Sequence, residues 1–200
     1  QSLSSCGDIA VSVYSGWLAY STFDHEWVKQ QMEETSVNEV LEKNWPGLHI
    51  EPLQAPENME VLIGWTGSPA SSPHLVSEVK RLKSDPSFYG EFLDQSHMCV
   101  ESLIQAFKTN NIKGVQKMIR QNRLVIQSMD VEATVNIETD KLKQLCEIGE
   151  KHGGASKTSG AGGGDCGITI INNVIDKQLI YDEWIANGIK PLEFKIYHGQ

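Results

Sequence analysis

Much that would assign this chain at a glance is missing from it. Cysteine is scarce: the 200 residues hold four, Cys6, Cys99, Cys146 and Cys166, scattered with no C-x-x-C pair. That spacing excludes a zinc-ribbon ligand set and a disulfide framework, and it fits reduced thiols in a cytoplasmic protein. The six histidines have no metal-ligand spacing either. Basic residues are in deficit, 17 Lys and Arg against 26 Asp and Glu, for a formal net charge of -9. This argues against a nucleic acid held by a broad basic surface. It leaves room for a small phosphorylated ligand, because backbone N–H groups and one or two lysines can hold a phosphate. No window approaches the roughly 18 apolar residues of a membrane span, so no membrane partner is expected. The chain starts at Gln1 without methionine and has no charged segment followed by an apolar one. We expect no signal peptide, and a fragment or processed chain. Internal repeats are absent.

What is present reads as α+β. "GWLAYST" and "MEVLIGW" (59–65) have the composition of strands. Residues 8–15 read as a short helix with Asp8 as its N-cap, 24–43 as a polar helical or loop insertion, and 44–58, with Pro46, Pro52 and Pro56, as extended or irregular. From His74 to His152 the period is helical. It comprises "HLVSEVKRLK", a helix from Asp85-Pro86 to about Lys108, "IKGVQKMIRQNRLVIQSM" and "ETDKLKQLCEIGEKH". A strand (Ile168–Ile171), a helix (about Asp176–Ala186) and a last strand, "LEFKIYH", follow. Helices in a row instead of alternating with strands predict a mixed or antiparallel sheet under a helical layer.

Between the fourth helix and that late strand lies "KTSGAGGGDCGITII", with five glycines among the eight residues from Gly160 to Gly167. Glycine loses the most conformational freedom on folding, so the cluster needs a reason. "GGGDCG" matches G-x-G-x-x-G, but a dinucleotide fold places that motif after a strand and before a helix; here the expected order is helix, loop, strand. A P-loop fails too, because Ser156 stands where a glycine must precede Lys157-Thr158. One reading is a plain turn. The other is a bare backbone that approaches a phosphate.

In this context "GASKTSGAGGGDCGI" resembles the third signature motif of the GHMP kinases. "SLSSCGDIAVSVYSGW" is similar to that family's S-G-x-D-x-A segment, "VLIGWTGSPASSPHLV" to its substrate-side strand and loop, and "IRQNRLVIQSM" to the helix carrying an Asn and an Arg near the substrate. The resemblance covers essentially all 200 residues. "SSCGD" together with "GWTGSPASS" points to the branch whose acceptor is already phosphorylated. The early lysine-containing strand and the G-L-G-S-S-A-A-type loop of full-length members are not in this sequence. The resemblance therefore implies the C-terminal half or more of such an enzyme, with most of the nucleotide site elsewhere. It implies a GHMP kinase fold, residues 1–58 ending the N-terminal domain and 59–200 forming the C-terminal domain. The implied reaction is phosphoryl transfer from ATP, with Mg²⁺, to a small phosphorylated substrate.

The resemblance also implies roles. Asp8 would orient the acceptor, hold Mg²⁺ or act as base, against a plain capping role, with Ser4, Ser5 and Gly7 shaping that corner and Cys6 a small filler. Ser159, Gly160, Ala161, Gly162, Gly163 and Gly164 would offer N–H groups to phosphate. Lys157 would add a point charge, against a solvated loop lysine. Thr66, Gly67, Ser68, Ser71 and Ser72 would meet the anionic substrate, against an ordinary capped loop. Asn122 and Arg123 would bind its carboxylate or phosphate, against a surface position. Asp165 is grouped with the substrate, or else caps a turn. The rivals are a sister member acting on an unphosphorylated or diphosphorylated acceptor, a nicotinamide oxidoreductase, and a non-catalytic binding fragment. Oligomeric state is not legible.

Overall fold

Asp24, Ser36, Thr139 and Asp176 each stand just before a helix, and each side chain accepts a backbone N–H from the first turn. Such caps satisfy donors that the helix itself leaves open. Ser36 and Glu39 complete a capping box. The computed structural model describes residues 5–69, 86–133, 136–160 and 162–197. They fall into two units, Gln1–Gln54 with Lys195–Gln200, and Ala55–Phe194.

The smaller unit contains α1 (Gly7–Tyr14), β1 (Trp17–Ser21), α2 (His25–Glu34), α3 (Val37–Leu41) and β2 (His49–Leu53). β1 and β2 pair antiparallel, from Trp17↔Leu53 to Ser21↔His49. The polar stretch 24–43 is thus two short helices. Trp45 covers them, its indole donating to the Val40 carbonyl at 2.8 Å and meeting Phe23 edge-on at 5.0 Å. The expected Asp8 cap is corrected. The cap position belongs to Cys6, whose left-handed backbone (φ 59°) starts the helix without any side-chain cap. α1 buries Ala10 and leaves Ile9, Val11, Val13 and Tyr14 exposed.

The larger unit contains β3 (Met59–Trp65), α4 (Pro86–Lys108), α5 (Ile112–Ala133), α6 (Asp140–Lys151), β4 (Ala155–Thr158), β5 (Cys166–Asn172), α7 (Lys177–Ala186) and β6 (Lys190–Leu192). The sheet order is β4-β5-β3-β6, and every neighbouring pair is antiparallel. β5 and β6 therefore run parallel on either side of β3, joined by α7. Gly64 and Gly167 face each other across β3 and β5. A Cβ on either would stand 2.7 or 2.6 Å from Leu145, so the bare pair is the seat for that fully buried leucine of α6. Around it Leu62, Ile148, Ile171, Ile180, Trp184 and Ile189 form the main core. Each fully buried large apolar side chain contributes about 1.5–3 kcal/mol. The Trp184 indole donates to the Leu145 carbonyl at 3.1 Å, which satisfies its one polar atom. A second core gathers Met129 and Ile137 with Phe88, Tyr89, Phe92 and Ile126.

Two strand expectations are corrected. The glycine loop is preceded by β4, a four-residue strand, and not directly by a helix. The last strand is Lys190–Leu192, not 192–198. Beyond it the Tyr197 carbonyl accepts the Gly16 N–H at 2.8 Å, so this stretch finds its backbone partner in the smaller unit. The predicted helix at 74–83 and its Ser72-Pro73 start lie outside the described residues.

Candidate functional site

β4 and β5 are a hairpin, and the glycine loop is its connection. The Ser159 N–H closes it on the Cys166 carbonyl at 3.0 Å. Gly162, Gly163, Gly164 and Asp165 then take positive φ in succession, at 79°, 76°, 131° and 57°. L side chains rarely adopt such angles, and asparagine and aspartate tolerate them best after glycine. This accounts for Asp165: it fills the last left-handed position, and its carboxylate accepts weakly from the Cys166 thiol at 3.6 Å.

The loop is gripped from two sides. On one side, the Asp165 N–H donates to the Ser68 carbonyl at 2.7 Å. The Thr66 N–H and hydroxyl both donate to the Asp165 carbonyl, at 2.8 and 2.9 Å. On the other side, the Gly163 N–H donates to the Ile137 carbonyl at 2.7 Å. A Cβ on Gly162 would lie 2.4 Å from that same carbonyl oxygen, and one on Gly164 3.0 Å from the Ser68 oxygen. Close backbone packing thus requires these two glycines. The expectation that every N–H from Gly160 to Gly164 faces a ligand is corrected for Gly163, whose N–H is already spent on Ile137.

What remains open is a smaller set. The N–H groups of Gly160, Gly162 and Gly164 have no acceptor among the described residues. Ser159 and Gly160 are exposed, and a Cβ on Gly160 would meet nothing. Lys157 on β4 is half-buried and donates to the neighbouring Thr158 carbonyl at 2.8 Å, with no carboxylate paired to it among the described residues. Burial holds its ammonium below the ordinary lysine value. The Thr158 hydroxyl beside it is buried and has no hydrogen-bond partner among the described residues. Sequence reading passed over Thr158; its adjacency to Lys157 was the available signal. Unspent donors, a lysine without a counter-ion and an unpartnered hydroxyl are the donor set that an oxyanion such as a phosphate requires.

The other candidates sit as follows. Thr66 is buried, while Gly67 and Ser68 are exposed; the bonds of Thr66 and Ser68 to Asp165 join this segment to the glycine loop. Asn122 and Arg123 lie on α5. Asn122 is half-buried. Arg123 is not turned to an open surface: it forks onto Glu138, with Nε to Oε2 at 2.8 Å and Nη2 to Oε1 at 2.5 Å. That bond raises the guanidinium above its ordinary value. Asp8 is exposed in the first turn of α1, in the smaller unit with Ser5 and Gly7. The Ser5 carbonyl accepts from the Tyr20 hydroxyl. Ser4, Ser71, Ser72 and Ala161 lie outside the described residues. Among the described residues no group of three or more His, Cys, Asp or Glu is arranged to hold a metal ion, and no helix is long and apolar enough to cross a membrane. None of the four cysteines is in a disulfide, and burial pushes the Cys146 thiol up to about 12.

Comparison with known proteins places these features in a family context. A family model described as GHMP kinases C terminal matches residues 103–190. A curated phosphomevalonate kinase from Streptomyces sp. (strain CL190) is 34% identical over 189 residues, 93% of this chain and 50% of that protein. A solved structure of a Listeria innocua protein is 40% identical with a TM-score of 0.89, covering 98% of this chain and 55% of that one. A Streptococcus pneumoniae phosphomevalonate kinase, solved in complex with phosphomevalonate and AMPPNP, is 28% identical with a TM-score of 0.82. That match covers 95% of this chain and 55% of the other. The chain spans about half the length of the relatives it matches.

Proposed function

We propose, for a chain that carries the GHMP kinase C-terminal domain, the role of the C-terminal half of a cytoplasmic phosphomevalonate kinase. The reaction is transfer of the ATP γ-phosphoryl group to the phosphate of 5-phosphomevalonate, giving the diphosphate. Residues 59–200 are its C-terminal domain, and 1–58 are the end of the N-terminal domain and the connection. The observation that carries this reading is the joining of the serine-rich loop to the glycine loop by the paired bonds between Thr66, Ser68 and Asp165. An acceptor phosphate and a donor phosphate need adjacent anion-binding surfaces, and the joined loops supply both. The likeness to phosphomevalonate kinases over 93% of the chain supports the choice of acceptor.

Mg²⁺–ATP, when bound, supplies the transferable phosphoryl group and neutralises charge between the two anions. The chain's own part is positioning. The exposed Ser159 and Gly160 and the N–H groups of Gly160, Gly162 and Gly164 hold phosphate oxygens. Lys157 adds a positive charge whose desolvation strengthens it. Gly67 and Ser68 line the acceptor side, and Thr66, whose N–H and hydroxyl are both spent on the Asp165 carbonyl, corrects the expected direct contact by tying that loop to the glycine loop instead. Asp8 orients the acceptor phosphate; an ionised phosphate is already a competent nucleophile and asks little of a base.

The test is ADP release by the complete reading frame with Mg²⁺–ATP and, separately, mevalonate, phosphomevalonate and diphosphomevalonate. Turnover with phosphomevalonate alone is the expected outcome. Turnover with another acceptor moves the function to a sister enzyme. No turnover with any of them overturns the kinase reading in favour of a binding role.

A further inference from the structure

A buried ion pair ties α5 to the turn that precedes α6. Arg123 and Gln127, one turn apart on α5, both reach the Glu138 carboxylate; the Gln127 amide donates to both oxygens at 3.2 Å. The side chains of Arg123 and Glu138 are 15% and 5% exposed. Burying two charges is costly, and their attraction repays it only with good geometry. Such a pair is therefore weak evidence for stability and better evidence for a fixed arrangement.

What it fixes is adjacent in sequence. Ile137, Glu138 and Thr139 are three consecutive residues with three different anchors. The Ile137 side chain, 4% exposed, plugs the core between α4 and α5. Glu138 is clamped from α5. The Thr139 hydroxyl caps α6 through the Leu142 N–H. Toward the glycine loop this turn presents the Ile137 carbonyl, which takes the Gly163 N–H, and the Ile137 Cγ2; a Cβ on Gly162 would stand 2.4 Å from each.

The geometry points to Arg123, Gln127 and Glu138 as positioning residues that set the shape of the glycine loop through the Ile137 carbonyl. The clamp holds that carbonyl in place, the carbonyl holds Gly163, and the remaining N–H groups of the loop keep one orientation toward a phosphate. It is an alternative to the expected direct contact between Arg123 and substrate. It rests on the phosphate-binding reading of the loop for its functional consequence, but its structural step stands apart from that reading. A displacement of about 1 Å at such a loop suffices to cost about 100-fold in rate.

The experiment uses two variants and two readouts. Glu138→Gln keeps the shape and removes the charge. The double variant R123M/E138L replaces the pair with apolar groups of similar size and leaves no orphaned charge. Amide hydrogen exchange is read on residues 159–166 of this chain, with α7 as internal reference. Steady-state kinetics with Mg²⁺–ATP and phosphomevalonate are read on the complete reading frame. In both variants exchange in 159–166 is expected to quicken at least tenfold while α7 is unchanged, and the KM for ATP to rise about tenfold more than kcat falls. R123M/E138L should melt no lower than the parent and still show the loosened loop, which a purely stabilising pair would not produce. Exchange that is unchanged, or faster by the same factor in α7, overturns the proposal. If the complete enzyme turns over no acceptor, the functional reading fails and the exchange result alone decides the role of the clamp.

Discussion

Gly160 and Gly162 lie two residues apart and answer different demands. Gly162 has a left-handed backbone and a carbonyl oxygen where its Cβ would be. Gly162→Ala should lose at least about 1–2 kcal/mol from the backbone alone. Gly160→Ala, with open space around the new methyl, should stay within about 0.5 kcal/mol in urea denaturation; in the complete enzyme it should weaken ATP binding. Lys157 gives a second contrast. Its folded value lies below its unfolded one, near 10.5, because burial disfavours the charge. Below the folded value both states are charged and the burial penalty is present in full. As pH rises through the folded value the penalty is relieved, so stability rises. Lys157→Met should therefore match or exceed the parent's melting temperature at pH 7, and that advantage should shrink as pH climbs toward about 10.5. The same variant of the complete enzyme should bind ATP more weakly. Asp8 makes no capping bond, so Asp8→Asn should cost folding less than about 1 kcal/mol, the size of a first-turn dipole contact. A fall of about 10–100-fold in kcat of the complete enzyme would then report lost orientation of the acceptor and not folding.

At the scale of elements, the facing Gly64 and Gly167 are a packing device. Ala at either position drives a methyl into Leu145, and overpacking of this kind costs about 1–3 kcal/mol, measurable as a lower urea midpoint with an unchanged slope. This glycine pair also marks what the sequence could and could not reveal. β3 was legible to the residue, because "MEVLIGW" is an apolar run ended by small residues. α4 was legible from Pro86 to Lys108 by period and proline start. β4 was not: "ASKT" is four residues of small and hydroxyl side chains. Its buried Ser156 hydroxyl bonds to the buried Thr169 hydroxyl of β5 at 2.8 Å, a pairing that no local pattern encodes. The glycine loop was recognisable as a motif, yet the reason for Gly162 and Gly164 lay in carbonyls at Ile137 and Ser68, distant in sequence. Arg123 was visible as a candidate; its partner Glu138 follows from the turn between two helices and not from any period.

At the scale of the whole molecule, α1 carries Ile9, Val11, Val13 and Tyr14 exposed at 58, 47, 72 and 51%. Scattered apolar exposure is ordinary, but a helix of eight residues exposed this far presents a patch. The matched relatives are about twice as long. The proposed N-terminal half would cover it. The present chain should bind an apolar dye such as ANS, and the complete reading frame should bind it much less. Equal dye fluorescence from both would place α1 outside the missing interface.

The strand order has one more consequence, and it concerns time. β3 is made before β5 and β6 and lies between them in its sheet. On the ribosome, then, "MEVLIGW" has no strand to pair with until synthesis has passed Asn172, and its second edge stays open until Leu192. An apolar segment with free edges is the kind that associates wrongly while it waits. The fold therefore leaves this apolar strand with open edges while the helices between β3 and β5 are made, and the glycine hairpin that delivers β5 both completes the site and closes the first of those edges.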